Sequence, residues 1–403
     1  MRSVANRPIK EYALGIYDGP HATPKESSDG AVFLGIKNIT DDGRMDFSDI
    51  RYVSEEEYPR WTRRVTPQAG DLVFTYEATL HRYALIPEGF RGCLGRRVAL
   101  LRPDPREADS RFLLYFFLSS GWRSVVEGYV ITGATVDRIP LEKFPEFPAA
   151  LPTLADQKKI ANTLSAYDDL IENNRRRIAL LEESARLLYQ EWFVRLQFPG
   201  HERVRAVDGV PKGWQKATAS DAMQVMSGGT PKTTTSEFWD GEIPFYTPKD
   251  AVQESYVLET EKALTDTGLV HCNSKLYGKD TIFITARGTV GNLNLAQRPM
   301  AMNQSCYALV GREGVTQKFL FCALREAIQH FKQHAVGAVF DAIIVDTFKM
   351  IPFIIPDSKI IELFEETIEP AFRQIQNLLL QNRRLKQARD LLLPRLMSGE
   401  IAV

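Results

Sequence analysis

The stretch from Leu154 to Trp192 constrains the fold most, because its apolar residues repeat with the spacing of a coiled coil. The steps alternate four and three residues, so one narrow face of a long helix is apolar and the other faces are charged. Thr153 and Asp156 have the spacing of a capping box, which marks the start of the helix. The seam residues are Ile160, Leu164, Tyr167, Ile171, Asn174, Ile178, Leu181, Ala185, Leu188 and Trp192. A helix this long needs a partner helix.

The same spacing recurs from Ile361 onward, near the end of the chain. Each seam contains one asparagine, Asn174 or Asn382, and two arginines follow it in both cases. A buried asparagine in an apolar seam costs stability but fixes the register. We therefore predict an antiparallel coiled coil; the alternative is two unrelated amphipathic helices, each packed on its own domain. Pro370 is predicted to kink the second helix or to start a new one.

The segments before the two helices repeat one plan, which indicates an internal duplication. Strands are predicted at 31–36, 70–75 and 98–101, and one buried helix at 111–126. The repeated pieces are Thr23-Pro24-Lys25 with Thr230-Pro231-Lys232, Asp71–Thr75 with Asp280–Thr285, Phe112-Leu113 with Phe319-Leu320, and Gly133-Ala134, Phe144, Pro148 and Leu151-Pro152 with Gly337-Ala338, Phe348, Pro352 and Ile355-Pro356. The predicted class is α+β: two pseudo-repeated mixed domains at 1–150 and 197–356, and two long helices at 151–196 and 357–403. The duplication implies a pseudo-two-fold molecule with one domain at each end of the helix pair.

Composition places limits on the partners and the compartment of the chain. The net charge is −1, so any nucleic-acid surface has to be a local patch. The four cysteines, Cys93, Cys272, Cys306 and Cys322, are far apart, which favours a reducing compartment over a metal knuckle. With no apolar run of membrane-spanning length and no signal peptide, we predict a cytoplasmic protein.

Catalytic motifs are missing from the sequence. It contains no glycine-rich phosphate loop, and no Asn-Pro-Pro-aromatic or Asp-Pro-Pro-aromatic tetrapeptide of the kind that amino-methyltransferases use. His330 and His334 are four residues apart, but no glutamate follows His330, so a zinc helix is not predicted. Asp357 and Lys359 faintly resemble part of a nuclease site, but Asp357 is more simply a helix N-cap. We predict no catalytic residue and no metal site.

Several motifs together resemble the specificity subunits of type I restriction-modification systems, over essentially the full length. The motifs are Leu151-Pro-Thr-Leu-Ala-Asp-Gln157-Lys-Lys-Ile160, Ile171-Glu-Asn-Asn-Arg175, Glu191-Trp-Phe193, Ser227-Gly-Gly-Thr-Pro231, Arg287-Gly-Thr-Val-Gly291 and Leu392-Leu-Pro-Arg-Leu-Met-Ser-Gly-Glu400. The first domain departs from the pattern, with Glu77-Ala-Thr-Leu-His81 where the second has Arg287-Gly-Thr-Val-Gly291. The second helix also departs, because it lacks a Gln-Lys-Lys-Ile opening.

The resemblance implies that each domain is a target recognition domain that reads one half of a bipartite, asymmetric DNA site. The helices would set the gap between the halves and dock two methyltransferase (modification) subunits. S-adenosylmethionine, ATP and magnesium are expected on the modification and restriction subunits, and none of them on this chain. One alternative is an orphan DNA-binding or scaffold protein of the same fold; a stand-alone nuclease or methyltransferase is a weaker one.

Candidate DNA contacts follow from side-chain chemistry, because guanidinium, amide and carboxylate groups read bases, while lysines and hydroxyls contact phosphates. They are Lys25, Lys37, Tyr76, Glu77, Thr79, His81, Arg82, Arg96 and Arg97 in the first domain, and Thr230, Lys232, Tyr246, Lys249, Arg287, Thr289, Asn303 and Gln304 in the second. Arg287 is assigned to a guanine, and Asn303-Gln304 to an adenine. Glu77 is expected to accept from a cytosine amine, unless it pairs with a nearby arginine such as Arg82.

The partner surface is assigned to the exposed residues of both helices and to the end of the first. Trp192 and Phe193 are adjacent in the sequence, so we expect only one of them to face the seam. One of them is therefore a candidate for partner binding; the alternative is packing against the second domain.

Overall fold

A computed structural model describes residues 6–25, 27–133, 135–207, 209–334 and 342–401, without the side chains of residues 330–334. The repeat positions Ala134, Gly337 and Ala338 and the side chains of His330 and His334 lie outside this description. The chain divides into two compact units, Met1–Leu170 with Leu385–Val403, and Ile171–Arg384. Each long helix contributes to both units.

The described part of the first unit contains two larger sheets and one short antiparallel pair of strands. Its described strands are β1 Arg7–Pro8, β2 Ala13–Asp18, β3 Ala31–Leu34, β4 Arg51–Val53, β5 Leu72–Thr75, β6 Tyr83–Leu85, β7 Gly92–Leu94, β8 Val98–Pro103 and β9 Pro148–Ala149. One larger sheet has the order β2-β8-β5-β6, the other has the order β4-β3-β7 with β3 and β7 parallel, and the short pair is β1 with β9. Strand β5 is apolar at its first three residues because Leu72 and Phe74 pack towards the helices while Val73 packs towards the second sheet. The predicted strands in this unit are confirmed.

The helices before the first long helix are α1 Tyr58–Trp61, α2 Ser110–Leu118 and α3 Ser120–Glu127. The prediction of one helix over 111–126 is therefore wrong. Ser119 has an extended backbone, and its hydroxyl accepts from the amide of Trp122, so it caps a second helix where the first one ends.

The second unit repeats the strand order of the first, with one strand added to its larger sheet and one extra pair of strands, which confirms the duplication. Its described strands are β10 Ala206–Val207, β11 Val210–Pro211, β12 Gln215–Thr218, β13 Met223–Ser227, β14 Trp239–Tyr246, β15 Tyr256–Val257, β16 Lys262–Leu264, β17 Ile282–Thr285, β18 Leu293–Ala296, β19 Ala301–Met302, β20 Cys306–Gly311 and β21 Pro352–Ile355. The sheets have the orders β13-β20-β17-β18-β15, where β15 is the added strand, and β16-β14-β19, and the extra pair is β10 with β11. Strand β17 occupies the place of β5, and the parallel pair of β14 and β19 matches that of β3 and β7.

The two long helices are α4 Leu154–Tyr189 and α9 Ser358–Met397, and the second unit also contains α5 Ala219–Ala222, α6 Asp266–Val270, α7 Gln317–His334 and α8 Thr347–Met350. Helix α4 begins at the predicted cap, because the Thr153 hydroxyl accepts from the amide of Asp156. Helix α9 begins after Asp357, whose carboxylate accepts from the amide of Lys359, so the N-cap prediction is confirmed. Helix α9 continues through Pro370, so no new helix begins there. The kink stays a prediction.

Gln157, in the opening motif of α4, joins the helix to the first unit and is only 1% exposed. Its side-chain amide donates to the carbonyl oxygens of Glu107 and Pro152, and its oxygen accepts from the amide of Asp109. These three hydrogen bonds satisfy a buried side chain almost completely. They explain why a polar residue occupies this position of the motif.

Most of the predicted seam of α4 is buried, and the two helices are antiparallel. The half-buried seam residues of α4 are Tyr167, Leu181 and Leu188. Asn174 is 1% exposed, and its Nδ2 donates to Asn382 Oδ1 at 2.9 Å and to Gln381 Oε1 at 3.1 Å. Towards the other end of α4, the ring of Trp192 lies 5.6 Å from that of Phe364, near the start of α9. A late residue of one helix thus meets an early residue of the other, which confirms the antiparallel pairing.

Trp192 and Phe193 are both buried, so the prediction that one of them is free for a partner is wrong. Their residues are 7% and 6% exposed. The chain makes a π-helical turn over Gln190–Val194 directly after α4. Widening the helix by one residue in this turn places both adjacent rings on the inner side. The alternative of packing against the second domain is therefore confirmed.

Candidate nucleic-acid interface

In the second unit, loops meet at the edge where the parallel strands β14 and β19 end. Tyr246 and Met302, the last residues of these strands, are paired, and the amide of Asn303 donates to the Tyr246 carbonyl at 3.0 Å. The loop after β13 lies against this edge, because the amide of Gly229 donates to the Met302 carbonyl at 3.1 Å. A Cβ at Gly228 would lie 2.3 Å from the carbonyl oxygen of Asn303, so only glycine fits there.

Two further loops complete this edge. The loop after β17 joins it through the amide of Ala286, which donates to the Ser305 carbonyl at 2.8 Å. The loop after β14 joins it through the Thr289 hydroxyl, which lies 3.4 Å from the carbonyl oxygen of Pro248. Four loops, drawn from between residues 228 and 305, therefore form one surface.

The first unit has an equivalent edge. The amide of Gly95 donates to the Leu34 carbonyl at 2.7 Å, and the amide of Tyr76 donates to the Arg97 carbonyl at 3.2 Å. A Cβ at Gly19 would lie 2.4 Å from the carbonyl oxygen of Gly95, which matches the close approach of Gly228 to Asn303. Both units therefore gather their candidate residues at the same edge.

The loops 77–81 and 287–291 share a conformation although only the second contains glycines. Gly288 and Gly291 have φ values of 79° and 81°, and the aligned Ala78 and His81 have values of 70° and 62°. Residues other than glycine pay roughly 1–2 kcal/mol for this left-handed region. The first unit therefore keeps the loop geometry at an energetic cost, which indicates that the geometry serves its function.

Exchanging the residues between the two loops should shift stability in opposite directions. We expect Ala78→Gly to raise the free energy of unfolding by about 1 kcal/mol, because it removes the backbone strain. We expect Gly288→Ala to lower it by about 1 kcal/mol, since the added Cβ meets no atom closer than 3.8 Å and only strain is introduced. Urea denaturation of the two variants measures both changes; equal signs would contradict the shared conformation.

In the second unit, most predicted DNA contacts lie on the surface. The exposed residues are Thr230, Lys232, Lys249, Arg287, Thr289 and Gln304. Asn303 is half-buried, and its Oδ1 accepts from the amide of Ser305, while Gln304 Oε1 accepts from the Thr230 hydroxyl. The predicted bidentate contact with an adenine thus requires an exchange of these hydrogen bonds.

Tyr246 does not belong to this surface. Its side chain is fully buried, and its hydroxyl donates to Asn294 Oδ1 at 3.0 Å. Burial also raises the pKa of the hydroxyl, so it stays protonated as a donor. Tyr246 supports the strand end beneath the loops, and a DNA contact by its ring is excluded in this conformation.

In the first unit, Lys25, Lys37, Thr79 and Arg96 are exposed. Lys37 forms an ion pair with Asp49. The guanidinium of Arg82 donates to the carbonyl oxygen of Ile39 at 3.1 Å, so it ties its own loop to the loop after β3. These contacts give Arg82 a structural role that the sequence did not indicate.

The side chains of Tyr76 and His81 are both at least partly buried, and burial shifts the pKa of each. Tyr76 is 5% exposed, its hydroxyl donates to the Arg96 carbonyl at 2.8 Å, and burial raises its pKa to about 12. Tyr76 therefore holds the backbone of Arg96 and does not face a ligand. Burial lowers the pKa of His81, and Arg123 lowers it further, so the imidazole is neutral at neutral pH.

Glu77 pairs with an arginine, as the alternative reading expected, but the partner is Arg97 instead of Arg82. The distance from Glu77 Oε1 to Arg97 Nε is 3.4 Å. Sequence reasoning also missed Asn273, whose backbone lies against Gly229 and whose side chain is exposed at the same edge. No motif marks Asn273, so only the folded chain reveals its position.

Within the described ranges, no helix is long and apolar enough to cross a membrane.

Comparison with known proteins gives a consistent result. A family model described as type I restriction modification DNA specificity domain matches residues 33–183 and 211–382. The MjaIX specificity subunit of Methanocaldococcus jannaschii is 26% identical, over 100% of this chain and 90% of its own length. The HindI specificity subunit of Haemophilus influenzae is 24% identical, over 66% of this chain and 72% of its own length. The crystal structure of a type I S subunit from M. genitalium shares the fold, with a TM-score of 0.55, 18% identity and coverage of 98% and 97% of the two chains.

Proposed function

Because the chain belongs to the family of type I restriction-modification specificity subunits, which recognise DNA sequence and are not catalytic, we propose that each unit reads one half of a bipartite, asymmetric DNA site. One observation supports this: the same loop edge is built twice, with different side chains at matching positions. Arg287 stands in the second unit where Glu77 stands in the first. Different chemistry on equal scaffolds suits two different half-sites.

The exposed lysines and threonines of each edge contact phosphates, and Arg287 reads a guanine in the second half-site. Among the described residues, Arg287 forms no ion pair, so its guanidinium is available to a base. Lys232 and Lys249 lie on loops of the same edge and suit phosphate contact.

Modification subunits dock on the exposed face of α4 and α9, and they carry S-adenosylmethionine, while ATP and magnesium act on restriction subunits. A second stripe on α4 suits this docking, because Arg177, Leu180, Ser184 and Leu187 follow one another by three or four residues and are exposed. Leu180 is 68% exposed and Leu187 is 48% exposed, which is unusual for leucines on a helix whose other face is already packed.

Replacing both leucines should abolish association with a modification subunit. We expect the Leu180→Glu, Leu187→Glu double variant to fold normally but to lose more than about tenfold in affinity, since two apolar anchors are lost. Co-purification and titration with the modification subunit measure this. The matched control is Leu14→Glu on β2, at 56% exposure and outside the two long helices, and we expect it to leave the affinity unchanged.

The function itself is tested by methylation sequencing in a methylation-free host. The host expresses this chain with a candidate modification subunit, and the subunit alone as control. An interrupted motif that is methylated only when this chain is present supports the proposal. Co-purification of the two chains without methylation indicates an inactive pairing, and neither association nor methylation favours an orphan DNA-binding protein.

The spacer role of the helices predicts a change in the gap. Seven residues inserted beside Asn174, and seven at the facing level beside Asn382, keep the seam in register and lengthen both helices by about 10.5 Å. We expect the unread gap to grow by about three base pairs, at roughly 3.4 Å each, with both half-sites unchanged. Methylation sequencing of the variant measures the gap, and an unchanged gap would refute the spacer role.

A further inference from the structure

In each unit, the backbone register places two positions beside each other at the loop edge that carries the candidate DNA contacts. In the first unit they are 77 and 97, because Thr75 pairs with Val98 and the amide of Tyr76 donates to the Arg97 carbonyl. In the second unit they are 287 and 305, where Thr285 pairs with Cys306 and the amide of Ala286 donates to the Ser305 carbonyl. Glu77 is thus equivalent to Arg287, and Arg97 is equivalent to Ser305.

Each unit carries one arginine at this pair of positions. In the second unit it occupies the first position, and in the first unit it occupies the second. In the second unit, Arg287 is exposed, and the position beside it in the register is the small Ser305. In the first unit, the arginine is Arg97, on the loop before β8, and the residue that faces it is Glu77. Where the first unit has Glu77 in place of Arg287, it also has Arg97 in place of Ser305. Both units therefore have one guanidinium at this edge.

The geometry of the Glu77–Arg97 pair leaves one end of the guanidinium available. The Nε of Arg97 is buried and lies 3.4 Å from Glu77 Oε1, which is an ion-pair contact and not a hydrogen bond within the described residues. In the described part of the chain, the two terminal Nη atoms of Arg97 have no hydrogen-bond acceptor. The side chain of Arg97 is 35% exposed, and that of Glu77 is 22% exposed, so the arginine is the more accessible partner.

The backbone around Arg97 is also held in place. The Tyr76 hydroxyl donates to the carbonyl of Arg96 at 2.8 Å, and the Tyr76 amide donates to that of Arg97. Two hydrogen bonds from one residue thus fix the turn that carries both arginines. A side chain that starts from a fixed backbone and is ion-paired with a neighbouring carboxylate loses less freedom when it binds.

We propose that Arg97, and not Glu77, reads a base in the first half-site, by donating from its two terminal nitrogens to O6 and N7 of a guanine. Glu77 is a positioning residue, whose carboxylate attracts the Nε side of the guanidinium as its counterion. The inference rests on the proposed function, that the first unit reads DNA, and it replaces the expectation that Glu77 accepts from a cytosine amine. A carboxylate engaged with cytosine would also leave the part-buried Arg97 without its counterion.

The test is selection of binding sites from a random duplex DNA library by the full chain, followed by affinity measurements on the selected site. The variants are Arg97→Ala, Glu77→Gln and, as a control, Arg91→Ala, which removes an arginine that is paired with Glu55 and lies before β7, away from the loop edge. We expect Arg97→Ala to lose roughly 10- to 100-fold of discrimination at one guanine of one half-site only. Glu77→Gln should keep the same preferred base and weaken binding by about two- to fivefold. Arg91→Ala should change neither half-site.

The opposite pattern would overturn the inference. If Glu77→Gln changes the preferred base while Arg97→Ala keeps it, Glu77 reads the base directly. If Arg97→Ala weakens all sequences equally, Arg97 contacts a phosphate. If the chain without any substitution selects no motif at all, the proposed function fails. This outcome differs from a failure of the residue assignment alone, in which a motif is still selected.

Discussion

Replacing Phe193 with alanine is expected to lower the free energy of unfolding of the second unit by about 4 kcal/mol. The ring centre of Phe193 lies 5.0 Å from those of Phe319 and Phe364, 5.1 Å from that of Tyr189 and 5.8 Å from that of Trp214. The variant therefore leaves a cavity where helix α9, helix α7 and the end of α4 meet. Aromatic contacts in this arrangement add to the loss from burial alone.

Val194 provides a matched control for Phe193. It is the next residue, in the same π-helical turn, and is 57% exposed. Urea denaturation should show little change for Val194→Ala and a large change for Phe193→Ala. Unchanged stability of Phe193→Ala, together with lost binding to a modification subunit, would instead restore Phe193 to the partner surface.

Replacing Lys318 with alanine is expected to cost the second unit about 3 kcal/mol. Lys318 is only 7% exposed, and its Nζ lies 2.7 Å from Glu369 Oε2, 3.4 Å from Glu365 Oε1 and 3.8 Å from Asp280 Oδ2. Without the lysine, the carboxylates of Asp280, in the turn before β17, and of Glu365 and Glu369 on α9 lose the cation they share. Among the described residues, only the exposed Arg373 remains, 3.6 Å from Glu369 Oε1. The cost comes from the repulsion between these carboxylates more than from the lost attraction.

The pH dependence of this variant follows from the pKa of Lys318. Burial lowers that pKa, but the hydrogen bond to Glu369 and the charges of Glu365 and Asp280 outweigh burial and raise it above the usual 10.5. Because the folded-state pKa is higher than the unfolded one, the stabilisation is fully present below pH 10.5 and is lost as the pH rises through the folded pKa. The deficit of Lys318→Ala should therefore be constant around neutral pH and shrink only in strong alkali.

Lys349 is the control for the loss of a lysine in an ion pair. Its side chain is 64% exposed, and Nζ lies 2.8 Å from Asp346 Oδ1. Exposed pairs contribute little because water screens them, so Lys349→Ala should not change the denaturation midpoint measurably. Equal effects of the two substitutions would contradict a special role for the buried cluster.

The sequence predicted the helices and the repeat well because those features are periodic and local. The seam residues of α4, the cap at Thr153 and the partner Asn382 follow from spacing and from short-range hydrogen bonding. The duplication could also be predicted from the sequence, since equivalent strands of the two units bury apolar residues in the same pattern. The break at Ser119 was missed because the apolar pattern continues across it, and only the cap signals a new helix.

The sequence was less informative about the reading surface. It identified Arg287, Lys232 and Thr230 as candidates, and these are exposed on one edge. It also selected Tyr76 and Tyr246, whose rings are buried, because an aromatic residue in a loop motif has the same appearance whether it supports the loop or faces a ligand. Asn273 was overlooked, since contact with Gly229 depends on how distant loops meet.

The sequence by itself determined the class of fold, the antiparallel helix pair and the family, because periodic patterns and short motifs carry that information locally. The tertiary structure decided which side chains are available and which partners they have. A π-helical turn buried both Trp192 and Phe193, and the pairing of β5 with β8 placed Arg97 beside Glu77. Burial and pairing depend on residues far apart in the chain, and no local pattern records them.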